Sequence, residues 1–93
     1  MFEDILQRMR ERVRTRRYVM TIHAEEEMTN DSLTIYDVEH CILTGHIIDR
    51  EMELVTPAWK YNVSGYTVTH EAMEVVAKLS PADQLVIITV YIL

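Results

Sequence analysis

Glycine is scarce in this sequence: there are two residues, Gly45 and Gly65, in a chain of 93. That excludes a glycine-rich loop cradling a phosphate and a G-x-S-x-G turn presenting a hydrolase serine. Cysteine is scarcer still. The single Cys41 excludes an internal disulfide framework and suits a reducing cytoplasm, where the protein is expected to act. With no other cysteine to pair with it, it offers no zinc-type ligand set; His23 and Glu27 have ligand-compatible helical spacing but no evident third ligand. Neither a metal nor another cofactor is expected. No apolar run approaches the ~20 residues of a membrane span, and no membrane partner is expected. The N-terminus is charged from Glu3 onward, unlike a secretory signal.

What is present is a hydrophobic fraction of 48%, enough for a globular chain. A chain of this length forms one domain and buries about 60–65% of its unfolded surface. The net charge is −6, unevenly placed. Residues 1–17 hold Arg8, Arg10, Arg12, Arg14, Arg16 and Arg17 against Glu3, Asp4 and Glu11, a local balance of +3, and the remainder carries −9. An acidic body repels nucleic acid at long range, while a basic arm can hold phosphate locally or engage an acidic protein.

Phe2, Ile5, Leu6, Met9 and Val13 share one helical stripe, predicting a basic amphipathic helix within residues 1–16. A single compact unit is expected over residues 17–93. Tyr18 to Ile22 reads as a short strand, and Thr21 as the N-cap of a short helix ending at Thr29–Ser32. Thr34 and Asp37 form a capping-box pair for a further helix. Gly45 is expected in the left-handed position that closes it. The period then switches to two. Ile48, Met52 and Leu54 alternate with Asp49, Glu51 and Glu53, predicting a half-buried strand broken at Thr56–Ala58. Trp59, Tyr61 and Val63 mark a second strand, with a bend at Ser64–Gly65. Met73 to Leu79 marks a third, and Ser80–Asp83 a turn. Leu85 to Ile92 is apolar on both faces except for Thr89 and Tyr91, as expected of an interior strand. Helices grouped before hairpin-linked strands predict an α+β fold, with N-terminal helices on one face of a mainly antiparallel four-stranded sheet.

Two stretches stand out chemically. Tyr18 to Met28 places His23 at a strand-to-helix junction, and Val86 to Tyr91 places Thr89 and Tyr91 on one strand face. Together with Leu33-Thr34-x-x-Asp37-Val38, Gly45-His46-Ile47-Ile48, Trp59-Lys60-Tyr61 and the H-A-x-x-x-M of His23 to Met28, they resemble a small bacterial domain-of-unknown-function family. That family is usually placed with RelE-like toxins, in the superfamily of barnase-type and colicin-type ribonucleases. The resemblance covers about residues 17–92. It implies a RelE-like α+β fold and a metal-independent endoribonuclease of the mRNA-interferase kind. It further implies the toxin half of a toxin–antitoxin pair, encoded beside a cognate zinc-finger or helix-turn-helix antitoxin. Many members have arginine at the fifth position of the H-A motif, whereas this chain has Glu27.

Metal-independent RNA cleavage needs a base for the 2′-hydroxyl, a cation for the charged phosphorane and an acid for the 5′-oxygen. His23 is the candidate base or acid, since imidazole titrates near ~6.5. Glu27, four residues on, can orient it. Lys60 is the candidate phosphate cation, and Tyr91 the proton donor or base-stacking ring. His70 is a spare acid–base group. Arg10, Arg14 and Arg17 are the candidate RNA-binding residues. The substrate is then RNA, free or as ribosome-bound mRNA. The acidic body, Glu27 and the basic helix equally suit a non-catalytic protein-interaction module of the same fold.

Overall fold

The computed structural model describes residues 1–55 and 58–93. The elements run α1 (Glu3–Arg14), β1 (Tyr18–Met20), α2 (Ile22–Asn30), α3 (Ile35–Thr44), β2 (His46–Met52), β3 (Trp59–Tyr66), β4 (Ala72–Leu79) and β5 (Leu85–Ile92). The expected strand break falls on Thr56 and Pro57, outside the described residues. No helix is long and apolar enough to cross a membrane among the described residues.

The sheet corrects the expected four-stranded, mainly antiparallel architecture. It has five strands in the order β1-β5-β4-β3-β2. β1 pairs parallel to β5, with Tyr18 beside Leu85 and Met20 beside Ile87, so the sheet is mixed. Three residues are too few to show a period, and nothing local tells β1 to join a strand more than sixty positions downstream. The partner is set by β5, whose backbone needs hydrogen bonds on both edges. The order of elements and the interior position of β5 agree with the sequence reading.

The helices bury one side of the sheet. Leu6, Met9 and Val13 of α1 and Val38, Cys41 and Ile42 of α3 pack on Val63, Met73, Val75, Ile87 and Val90, all buried. α1 therefore shares the single core rather than standing apart from it. β5 is apolar in both phases because it changes phase. Val76 pairs with Thr89 but Ala77 with Ile87, leaving Ile88 as an extra residue. This bulge lets both Ile87 and Val90 point into the core.

Local caps follow the sequence. Thr21 accepts from the Ala24 N–H at 3.0 Å. The capping box of Thr34 and Asp37 is complete. Asp37 also accepts from the Val68 N–H at 3.0 Å, tying the start of α3 to the β3–β4 turn. Gly45 differs from expectation. Its backbone is extended, with φ −87° and ψ −165°. It must be glycine for space, since a Cβ would lie 2.3 Å from the Ser64 carbonyl oxygen and 2.5 Å from that of Cys41. Gly65 is not a bend but part of β3. A Cβ there would meet the Cys41 oxygen and sulfur at 3.0 Å and the Gly45 Cα at 3.2 Å. The two glycines thus meet where the end of α3 descends onto β3. β2, expected half-buried, is an exposed edge strand apart from Ile47, because no helix covers it.

Charge ties the turn after β4 to α1. Asp83, held at φ 64°, receives the guanidinium of buried Arg12, with Arg17 at 3.3 Å and Arg8 at 4.0 Å. The bond to Arg12 holds the Asp83 carboxyl below the ordinary carboxylate range. A carboxyl lowered by folding stabilises the fold above its unfolded pKa, and the contribution is lost as pH falls through the folded value.

Two outcomes follow from this packing. Gly45→Ala should lower stability by about 2–4 kcal/mol or prevent folding, read by urea denaturation. Asp83→Asn should lower the melting temperature at neutral pH. It should also flatten the fall in melting temperature of the wild type under acid, read by calorimetry across that range.

Candidate functional site

The site is built along the outer edge of β5. β1 completes the first half of this edge, and α2 lies along the second. The Thr21 hydroxyl, which caps α2, donates to the Ile88 carbonyl at 2.9 Å. Six residues on, the Glu27 carboxylate accepts from the Val90 N–H at 3.2 Å. A turn later Asp31 lies 3.5 Å from the Ile92 nitrogen. Thr21, Glu27 and Asp31 thus reach the strand, and His23 sits one turn before Glu27 on the helix. Glu27 substitutes for a missing neighbouring strand, which calls for an acceptor at this position.

His23 and Glu27 are brought together as the spacing predicts. Nε2 of His23 is 3.2 Å from Glu27 Oε1, and the histidine side chain is 65% exposed while that of Glu27 is 25% exposed. The imidazole is thus anchored at one nitrogen and open to solvent.

Tyr91 follows Val90, whose N–H Glu27 holds, and its side chain lies on the sheet face the helices leave uncovered. It pairs with Glu74 across β4–β5, and its hydroxyl donates to Glu74 at 2.5 Å. The Asn62 amide lies 3.5 Å from the same carboxylate. The Glu74 bond, then burial, then the charges of Glu74 and Glu27 push the Tyr91 hydroxyl up to about 12. It therefore keeps its proton at physiological pH. Glu74 was missed by sequence reasoning. An acid in an apolar strand was visible, but only the β4–β5 register sets it against Tyr91.

Lys60 does not join the cluster. Ser64 is the β3 residue opposite Glu74, and Lys60 lies four residues from it, about 13 Å along the strand. His70 is exposed in the β3–β4 turn at φ 70°. Of the candidate RNA-binding arginines, Arg10 and Arg17 make contacts within the chain. Arg10 donates to the Ile42 and Gly45 carbonyls at 3.1 and 2.8 Å, closing the end of α3. Arg17 holds Asp83. Arg14 is exposed in the last turn of α1.

Among the described residues no cluster of three or more His, Cys, Asp or Glu side chains can hold a metal ion. Cys41 is buried, and burial followed by the Glu74 charge pushes its thiol up to about 12. It is therefore a poor nucleophile. What the site offers is an exposed, carboxylate-anchored histidine on α2 and a protonated tyrosine on β5, the strand that α2 flanks.

The model of the family described as "Domain of unknown function (DUF4258)" matches residues 20–92. That span starts at the end of β1 and takes in the whole α2–β5 arrangement. No curated protein and no solved structure matches the chain.

Replacing Glu27 with alanine should leave the Val90 N–H without its partner and destabilise the fold by about 1–3 kcal/mol. Hydrogen exchange should accelerate at Val90 ahead of the central strands, read by NMR.

Proposed function

We propose, from the premise that the chain belongs to the DUF4258 family, that it is a metal-independent endoribonuclease acting as the toxin of a bacterial toxin–antitoxin pair. The reading includes a kinship with RelE-like toxins. It is carried by one observation, the exposed His23 held by Glu27 at 3.2 Å, a carboxylate that also holds the Val90 N–H one residue before Tyr91.

In this reading His23 accepts the proton of a ribose 2′-hydroxyl, and Glu27 balances the imidazolium charge that forms. The 2′-oxygen closes on phosphorus, the bond from phosphorus to the 5′-oxygen breaks, and a 2′,3′-cyclic phosphate remains. Tyr91 supplies the proton to the departing 5′-oxygen, with Glu74 fixing its hydroxyl. Lys60, about 13 Å along β3 from the rung of Glu74, touches the RNA backbone away from the scissile phosphate. Arg14 is the remaining basic contact from α1. The substrate is RNA, free or as ribosome-bound mRNA, and a cognate antitoxin is the expected protein partner.

A second reading, a non-catalytic interaction module, draws on a different observation. Arg10 and Arg17 are engaged by the Ile42 and Gly45 carbonyls and by Asp83, and carboxylates anchor both His23 and Tyr91.

Growth after induction separates the two. Wild-type protein should arrest growth, and a folded His23→Ala variant at equal soluble expression should not, with RNA cleavage reduced about 10²–10⁴-fold. Arrest by both proteins, or by neither, contradicts the catalytic reading. Cleavage of purified RNA with and without added ribosomes then identifies the substrate form.

A further inference from the structure

On the side of the sheet that carries α1, a cleft of about 320 Å³ opens between that helix and the ends of β3 and β4. Its volume is at the lower end of the range for small-ligand sites. Trp59, Tyr61 and Leu79 form the sheet side, and Ile5 and Arg8 the helix side. Two features set it apart from a packing defect. The first is an aromatic platform that already carries a cation. The Arg50 guanidinium lies 3.8 Å from the centre of the Trp59 ring and 5.8 Å from that of Phe2, and Phe2 meets Tyr61 edge-on at 5.9 Å. Trp59 remains 38% exposed.

The second feature is a charge imbalance. Two carboxylates face three guanidinium groups: Asp83 meets Arg8, Arg12 and Arg17, and Glu11 meets Arg12 at 3.1 Å. Arg12 holds Asp83 most closely, and Arg8, at 4.0 Å with its side chain 53% exposed, is the least engaged. Arg8 also lines the cleft. A strongly acidic body therefore presents, at one place, a stacking ring beside under-neutralised positive charge. A ligand complementary to both has a flat aromatic part and an anionic part, and a nucleotide has both.

We propose that this cleft binds one nucleotide of a single-stranded RNA, with its base against Trp59 and its phosphate on Arg8. The assignment rests on the RNA-cleaving reading above and supplies it with a basic contact in place of Arg10 and Arg17. The subsite is separate from the His23–Glu27 pair, so it grips the strand and leaves the proton transfers to the β5 edge.

Trp59 is the only tryptophan, so its fluorescence reports on the cleft directly. The experiment titrates a short oligouridylate into the full chain carrying His23→Ala, which keeps the RNA intact. Saturable quenching is expected. Arg8→Gln, at an exposed position, should weaken binding about tenfold and lower the salt dependence by about one charge, with circular dichroism unchanged. Trp59→Leu should weaken binding of a dye-labelled oligouridylate about tenfold by anisotropy. If labelled RNA binds while Trp59 emission stays constant, or if Arg8→Gln binds as tightly as its parent, the subsite is overturned. Quenching by an acidic peptide bearing an aromatic residue, with none by RNA, overturns it in favour of a protein partner. Growth arrest by the wild type tests cleavage separately, so the subsite can fail while the nuclease reading stands.

Discussion

The structure depends on satisfying both edges of β5. This strand carries Leu85, Ile87 and Val90 into the core, and a strand so deeply placed cannot leave its backbone groups unpaired without losing about 1–3 kcal/mol for each. β4 serves one edge over its full length. The other edge is served in relay: β1 pairs as far as Ile87, the Thr21 hydroxyl takes the Ile88 carbonyl, and Glu27 takes the Val90 N–H. The bulge at Ile88 is where strand pairing hands over to helix side chains. The placement of His23 and Glu27 follows from this relay. His23 stands where it does because Thr21 must cap α2 and reach β5 at once.

The same constraint explains why Glu27 is an acid. A carboxylate accepts a strand N–H, and an arginine at that position, having only donors, cannot. The residue that anchors His23 is therefore also one that holds the strand edge. Structure and chemistry share a side chain, and a change at Glu27 alters both.

The arginines show the opposite distribution. Six of them precede β1, and as a sequence they look like an arm for an anionic partner. In the fold, Arg10 closes α3 and Arg12 and Arg17 converge on Asp83. These contacts fasten α1 to the far end of the chain and make it part of the core. Positive charge is left over where three guanidinium groups share the carboxylates of Asp83 and Glu11, beside the aromatic cleft of Trp59 and Tyr61.

The sequence by itself determined what depends on neighbours a few residues away. Thr21 and Thr34 announce helix starts because an N-cap bonds within three residues. His23 and Glu27 meet because one helical turn brings i and i+4 together. Alternation marks β3 and β4, and the apolar run of β5 marks an interior strand. Tertiary structure alone decided what depends on distant partners. The parallel pairing of β1, and hence a fifth strand, rests on contacts with β5. The need for glycine at positions 45 and 65 comes from the close crossing of α3 over β3, not from a turn. Lys60 lies far from the Glu74–Tyr91 rung, and Glu74 lies against Tyr91, because strand register sets those positions. Local sequence encodes which backbone groups a short segment can satisfy within itself. It does not encode which distant segment satisfies the rest, and in this protein those remaining groups shape the site.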